Sequence, residues 1–183
     1  MERIGVVHGR FQILHNDHMK YILAGKNRCE HLVIGITNPD PSLTSSDATN
    51  LERSLDSSNP LSYLERYWLV KAALIEEGMD YTQFSVIPFP INFPKLYRYY
   101  VPVEAMFYLT IYDDWGRRKL QLLSENGLRT EILWDRPADQ KGLTGSRIRN
   151  LIADGGKWES FVPLSVAELI KKWNIASRLK KLR

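Results

Sequence analysis

Two runs of β-branched residues, 3–8 (Arg-Ile-Gly-Val-Val-His) and 31–37 (His-Leu-Val-Ile-Gly-Ile-Thr), constrain this chain more than any other feature. Each is apolar almost throughout, so each reads as a strand buried on both faces rather than the alternating strand of a one-sided sheet. Between them, residues 16–27 place Met19, Ile22 and Leu23 at helical spacing. Strand, helix and strand in so short a stretch make a β-α-β unit, whose strands are parallel and whose crossover is right-handed.

The alternation continues downstream. Residues 61–77 predict an amphipathic helix with Leu61, Leu64, Trp68, Ala72 and Ile75 on one stripe and Gly78 as its stop. Strands are expected at 84–87, 106–112 and 129–134, with a helix at 115–126 ending at Gly127. A short helix at 144–154 is closed by Gly155 and Gly156, and 163–173 forms another through Val166, Leu169, Ile170 and Trp173. Strands alternating with helices imply an α/β fold with a parallel sheet. Two segments interrupt it. Residues 38–60 are serine-rich and broken by Asn38-Pro39, Asp40-Pro41 and Asn59-Pro60, the pattern of a functional, lid-like loop. Residues 88–103 are rich in aromatics and proline and read as a loop with one short helix. We expect 1–183 to form one domain, with 163–183 as a C-terminal helix and basic tail.

Composition narrows the class. A chain of 183 residues buries enough surface to need neither metal nor disulfide for stability, and the single Cys29 makes no internal disulfide. No apolar run approaches the roughly 18 residues of a spanning helix, and the chain opens straight into a strand without a leader pattern, so a cytoplasmic protein with no membrane partner is expected. The net charge of +4 comes from the end of the chain: 171–183 hold six basic and no acidic residues, leaving 19 basic against 21 acidic elsewhere. Such a tail reads as the basic end of a helix and not as a nucleic-acid surface.

Three of the four histidines, His8, His15 and His18, lie at or after the end of the first strand, where an open parallel sheet binds ligands. The turn reads Gly9-Arg10-Phe11-Gln12-Ile13-Leu14-His15-Asn16-Asp17-His18, which is neither the dinucleotide fingerprint nor a P-loop. It offers a cation and two imidazoles three residues apart at a helix N-terminus, an arrangement suited to a triphosphate. A second constellation, Leu143-Thr144-Gly145-Ser146-Arg147-Ile148-Arg149, opens a later helix with hydroxyls, backbone N–H groups and two guanidiniums, again a phosphate cradle. Taken singly, Thr144 or Ser146 would serve as a helix N-cap and the histidines as an exposed pair. Two cradles bracketing one α/β domain point to a nucleotide.

Together these segments resemble the HxGH nucleotidyltransferases, and within them the archaeal-type nicotinamide mononucleotide adenylyltransferases. Gly9-Arg10-Phe11-Gln12 with His15-x-x-His18 is similar to the family's G-R-F/M-Q-P-F-H-x-G-H. Asn59-Pro60-Leu61 through Glu65-Arg66 is similar to N-P-F-T-x-x-E-R, and Thr144-Gly145-Ser146-x-Ile148-Arg149 to S-G-T-x-I/V-R; Trp158 and Val162-Pro163 also fit. The resemblance implies a Rossmann-like open parallel sheet with helices on both faces. It further implies transfer of a nucleoside monophosphate from a nucleoside triphosphate to the phosphate of a small acceptor, with release of pyrophosphate. Magnesium (Mg2+) would be held by the triphosphate without a direct protein ligand, in a homo-oligomer with no nucleic-acid partner. By the same resemblance His15 and His18 serve the triphosphate, and Arg10 and Arg149 the transition-state charge. Gly9, Phe11, Gln12, Asp17 and Asp114 serve the nucleotide, and Thr144, Gly145, Ser146 and Arg147 the phosphates.

Departures from the family pattern bear on the substrate. Asp17 stands where the family has glycine, either as a first-turn acid or as part of a changed nucleotide pocket. Ile13 replaces a proline, and Ser57-Ser58 replace a basic residue for which Arg53 is the substitute. A nicotinamide-stacking tryptophan near 96–98 is missing, so Tyr97 or Tyr99 takes its place as candidate, with Arg53 and Asn92 for other acceptor contacts; the aromatic run also fits plain packing. Asp113-Asp114 stand where Gly-Asn or Asn-Asn is usual. The default pair is ATP with nicotinamide mononucleotide, making NAD. The alternative keeps the reaction and changes the pair to CTP with a phosphonate or other small phosphorylated acceptor. A non-catalytic nucleotide-binding module is the alternative of another class, opposed by the clustering of Arg10, His15, His18 and Arg149, like charges that folding alone does not require.

Overall fold

The computed structural model describes residues 1–43 and 56–183. It opens with β1 (Glu2–Gly9), α1 (Asn16–Lys26) and β2 (Cys29–Thr37), the expected unit. α2 (Tyr63–Glu76), β3 (Phe84–Phe89), β4 (Met106–Ile111), α3 (Asp114–Glu125), β5 (Arg129–Asp135) and α4 (Gly145–Asp154) follow, then α5 (Leu164–Lys172) and α6 (Ile175–Lys181). The strands form one parallel sheet in the order β3-β2-β1-β4-β5, a Rossmann-like architecture. One face carries Val7, Ile34 and Ile36 against buried residues of α1, α2, α4, α5 and α6. The other carries Val6, Val33, Phe89, Phe107 and Leu109 against Leu123 of α3. Each fully buried leucine or phenylalanine contributes about 2 kcal/mol.

Chain direction across the sheet reverses between β1 and β4, the switch point at which open parallel sheets bind ligands. The ladder there is short. β1 and β4 pair only at Gly5–Met106 and Val6–Phe107, whereas β1 and β2 pair from Glu2–Cys29 to Gly9–Ile36. Past Val6 the Tyr21 hydroxyl of α1 bridges the two strands, accepting from the His8 N–H at 3.2 Å and donating to the Tyr108 carbonyl at 2.7 Å. The carboxyl edge of the sheet is therefore split at its centre, with the His8 N–H and the Tyr108 carbonyl both matched by the Tyr21 hydroxyl.

Two expectations change. α2 starts at a capping box formed by Ser62 and Glu65, but it turns a different face inward. Leu64, Trp68 and Ile75 are exposed, and the helix buries Arg66, Leu69, Val70, Ala73 and Leu74. Two apolar stripes run side by side on this helix; packing against the sheet and α5, and the carbonyl partners of Arg66, select the second. The basic tail, expected as the solvated end of the preceding helix, forms a helix of its own. α6 buries Ile175 and Leu179, and the Arg178 guanidinium grips both carboxylate oxygens of Glu65 at 2.8 Å. Much of the candidate lid falls at 44–55, outside the described residues. No helix among the described residues is long and apolar enough to cross a membrane.

Candidate nucleotide site

A cleft of about 410 Å³ lies over the split edge of β1 and β4. The β1–α1 turn forms one wall with Gly9, Arg10, Phe11, Gln12, His15, Asp17 and His18, and the start of α4 forms another with Thr144, Gly145, Ser146 and Arg149. Phe11 turns the chain with a left-handed backbone (φ 51°), held by its buried ring, which meets the His18 ring edge-on at 5.1 Å. Gln12 spends its side-chain amide on the main chain of Leu61, donating and accepting at 2.9 Å, so it ties the turn to the segment before α2.

His15 caps α1. Its Nδ1 accepts from the His18 N–H at 3.4 Å, which leaves Nε2 as the proton-bearing nitrogen, and its ring stacks on that of His18 at 3.7 Å. Burial pushes His15 down to about 4 despite the nearby Asp17 carboxylate. Burial also drives His18 well below the usual imidazole range, helped by His15, Arg10 and Lys141 and opposed by a hydrogen bond to the Ile13 carbonyl. Both rings are thus neutral at pH 7, His18 with its proton committed to the Ile13 carbonyl, and a polyanion arriving beside them would reverse the electrostatic balance and favour their protonation.

At the second cradle, Thr144 caps α4, its Oγ1 accepting from the Arg147 N–H at 3.3 Å and lying 3.1 Å from Ser146 Oγ. Gly145 packs on the first cradle so closely that a Cβ there would lie 2.5 Å from the Gln12 carbonyl oxygen. Arg149 is buried and donates to that same carbonyl. Asp17 completes the join. Its carboxylate accepts from the Leu143 N–H at 2.7 Å and from Lys20 at 2.8 Å, and although burial opposes it, these partners hold it below the usual carboxylate range. Behind the turn, the buried Arg66 guanidinium donates to the carbonyls of Arg10 (3.0 Å), Thr37 (2.8 Å) and Asn38 (2.8 Å). Burial pushes Arg66 down to about 10, so it stays charged at neutral pH and clamps the turns after β1 and β2 together.

Several predicted residues do not reach the cleft. Tyr97 is buried, stacked on Phe89 at 4.8 Å, with its hydroxyl donating to the Ile91 carbonyl, so it serves packing. Tyr99 is 67% exposed and stands apart from the cleft. The Arg147 guanidinium lies over the Phe161 ring at 5.4 Å, on the outer side of α4. Asp114 faces a separate hollow with Arg117, Asp135 and Arg136, while its neighbour Asp113 caps α3 and pairs with Lys141 at 2.6 Å. Arg53 is outside the described residues; Asn92 does line the cleft. The structure adds His8, Thr37, Thr110, Lys119 and Lys141. Of these, His8 carried a signal, a polar residue at the end of a buried strand; the others announce themselves only through the topology. Among the described residues, no group of three or more His, Cys, Asp or Glu side chains is placed to hold a metal ion.

The same fold occurs in a bifunctional NMN adenylyltransferase/ADP ribose pyrophosphatase of Francisella tularensis, with a TM-score of 0.69 at 13% identity. All of this chain superposes on 52% of that one, so it spans about half that protein's length. No protein-family model matches the sequence. Relatives in sequence do: a phosphonoformate cytidylyltransferase of Streptomyces viridochromogenes is 46% identical over 176 residues, covering 96% of this chain and 95% of the relative. A nicotinamide-nucleotide adenylyltransferase of Thermococcus onnurineus is 29% identical over 184 residues, covering 100% of this chain and 89% of the relative. The chain belongs to the nucleotidyltransferases and is an enzyme of that class. Within it, the similarity runs to a cytidylyltransferase as well as to adenylyltransferases.

Proposed function

We propose that this chain transfers a cytidylyl group from CTP to an oxygen of a small phosphonate, releasing pyrophosphate. The observation that carries the reading is the 46% identity to the phosphonoformate enzyme over nearly the full length of both chains, against 29% to the adenylyltransferase of Thermococcus onnurineus. The burial of Tyr97 and the exposure of Tyr99 support it, since neither candidate for stacking on nicotinamide lines the cleft. ATP with nicotinamide mononucleotide is the second reading, favoured by the full-length similarity to the adenylyltransferases.

The acceptor needs no general base. A phosphate monoester, with a second pKa of about 6, is ionised at neutral pH, and a phosphonate ionises in the same manner. What remains is to align two anions and spread the developing charge. In this reading the first-turn N–H groups of α4, with Ser146 and Thr144, hold the β- and γ-phosphates. His15 donates to the triphosphate, His18 does so once the arriving polyanion favours its protonation, and Arg10 and Arg149 meet the charge at the α-phosphate. Gly9 and Phe11 frame the nucleoside, and Asp17 keeps the two cradles in register. The acceptor oxygen forms its bond to the α-phosphorus as the bond to the bridging oxygen breaks, and that electron pair departs with pyrophosphate. Magnesium bound to the triphosphate would neutralise part of its charge. The enzyme in this reading is a cytoplasmic homo-oligomer acting on small molecules alone.

Pyrophosphate release tests the reading, with ATP, CTP, GTP and UTP each offered nicotinamide mononucleotide, nicotinic acid mononucleotide or phosphonoformate in magnesium buffer. Turnover with CTP and phosphonoformate is expected. Turnover confined to ATP and a mononucleotide would move the chain to the second reading, and no turnover with any pair would leave a binding module.

A further inference from the structure

His15 and His18 have work in the proposed reaction; His8 has none, yet its placement is costly. It is 4% exposed, lines the cleft, and neither ring nitrogen has a hydrogen-bond partner among the described residues. An unmatched buried polar group costs about 1–3 kcal/mol, and the strand neighbours Val6 and Val7 show what folding alone selects here. Opposite His8 on β2 stands Gly35, where a Cβ would lie 2.8 Å from Phe89 Cβ, so the glycine admits the Phe89 side chain beside which the imidazole lies. The imidazole sits beside the Phe89 ring, at 5.7 Å, on the α3 face of the sheet. Lys119 of α3 lines the same cleft and acts electrostatically on His8, and Asn92 and Thr110 border it. A buried imidazole with open nitrogens and an ammonium in the same cleft is a site for an oxyanion.

We propose that His8 and Lys119 form an anion subsite for the acceptor, taking an acidic group, such as a carboxylate, other than the phosphonate that attacks. The idea rests on the reading of the acceptor as a small acid and adds which residues select it. The triphosphate occupies the two cradles at the β1–α1 turn and α4, so an anion at the α3 face belongs to the second substrate. A subsite of this kind favours a compact molecule with two acidic groups over one with a single charge.

The test uses the full chain, with binding and turnover read separately. In His8→Leu, the KM for phosphonoformate should rise at least tenfold while the CTP dissociation constant stays within twofold. Binding of methylphosphonate, which lacks the carboxylate, should be unchanged. Lys119→Met should follow the same pattern, and His8→Gln, which restores a donor, should recover part of the loss. In the wild type, phosphonoformate should shift the nitrogen resonances of the His8 ring. A phosphonoformate KM within twofold of wild type in His8→Leu, or His8 resonances that stay put at saturation, would overturn the subsite. Were the wild type to turn over only ATP with nicotinamide mononucleotide, the cytidylyl reading would fall. The same titration with nicotinic acid mononucleotide, which carries a carboxylate besides its phosphate, would then decide the subsite alone: a shift keeps it, no shift removes it.

Discussion

Replacing Gly145 with alanine isolates how much of this enzyme depends on the contact between its two cradles. Gly145 lies in the first turn of α4 and is absent from the left-handed glycines, so alanine meets no backbone penalty there. Helix propensity alone would make Gly145→Ala more stable by up to about 1 kcal/mol. Sterics oppose this. The new Cβ would lie 2.5 Å from the Gln12 carbonyl oxygen, 3.2 Å from its carbon and 3.3 Å from the Arg149 guanidinium, where ordinary contact begins at 3.4 Å. The turn and α4 must separate by about 0.9 Å, and neither is free to move. Gln12 is held by Leu61, and Asp17 ties α1 to Leu143. Overpacking of this kind costs about 1–3 kcal/mol, and a shift of about 1 Å between substrate-holding groups costs on the order of 100-fold in rate. A lower urea midpoint and a turnover reduced about 100-fold are therefore expected, the second from pyrophosphate release. A variant as stable as wild type that retains turnover within threefold would refute the reasoning.

Three further outcomes follow from other parts of the site. Arg66→Met leaves the carbonyls of Arg10, Thr37 and Asn38 without their donor and should lose about 3 kcal/mol in urea denaturation. Lysine should restore little, because one ammonium lacks the guanidinium's fork; a loss below about 1 kcal/mol would count against the clamp. For pH, His15 is lowered to about 4 in the folded chain from 6.5, so the unfolded chain binds more protons between those values and stability falls on acidification through that window. The loss approaches about 3 kcal/mol near pH 4, with His8 and His18 acting in the same direction. Unfolding midpoints that do not fall from pH 7 to pH 5, or a His15→Gln variant with an equally steep slope, would contradict this. Finally, His18→Ala should lower turnover by about 10²–10³ with the fold retained, and near-normal activity would remove His18 from the mechanism.

What local chemistry controls was legible in the chain itself. Gly78, Gly127 and Gly155 were predicted to stop helices, and all three adopt left-handed backbones, at φ 78°, 70° and 71°. The β-branched runs became the central strands, and the turn after β1 and the start of α4 both face one cleft. These features depend on residues three or four apart and on the alternation of strand and helix, which a single sequence displays. Which surface an element buries is a different kind of fact. Leu64, Trp68 and Ile75 make as good an apolar stripe as Leu69, Val70, Ala73 and Leu74, and it is α5, the sheet and the carbonyl partners of Arg66 that break the tie.

The same distinction runs through the site. The sequence alone made the parallel α/β sheet legible through the alternation of strand and helix, and the reaction class through the resemblance that its short contiguous motifs carry. Tertiary structure decided that Arg147 turns to Phe161, that Tyr97 packs on Phe89, and that Asp17 grips Leu143 across the fold. It also placed His8 of β1 and Lys119 of α3 on one cleft, over the edge where the ladder between β1 and β4 stops after Val6–Phe107. Such meetings join residues far apart along the chain, and the interaction that selects them exists only once the sheet has formed and split.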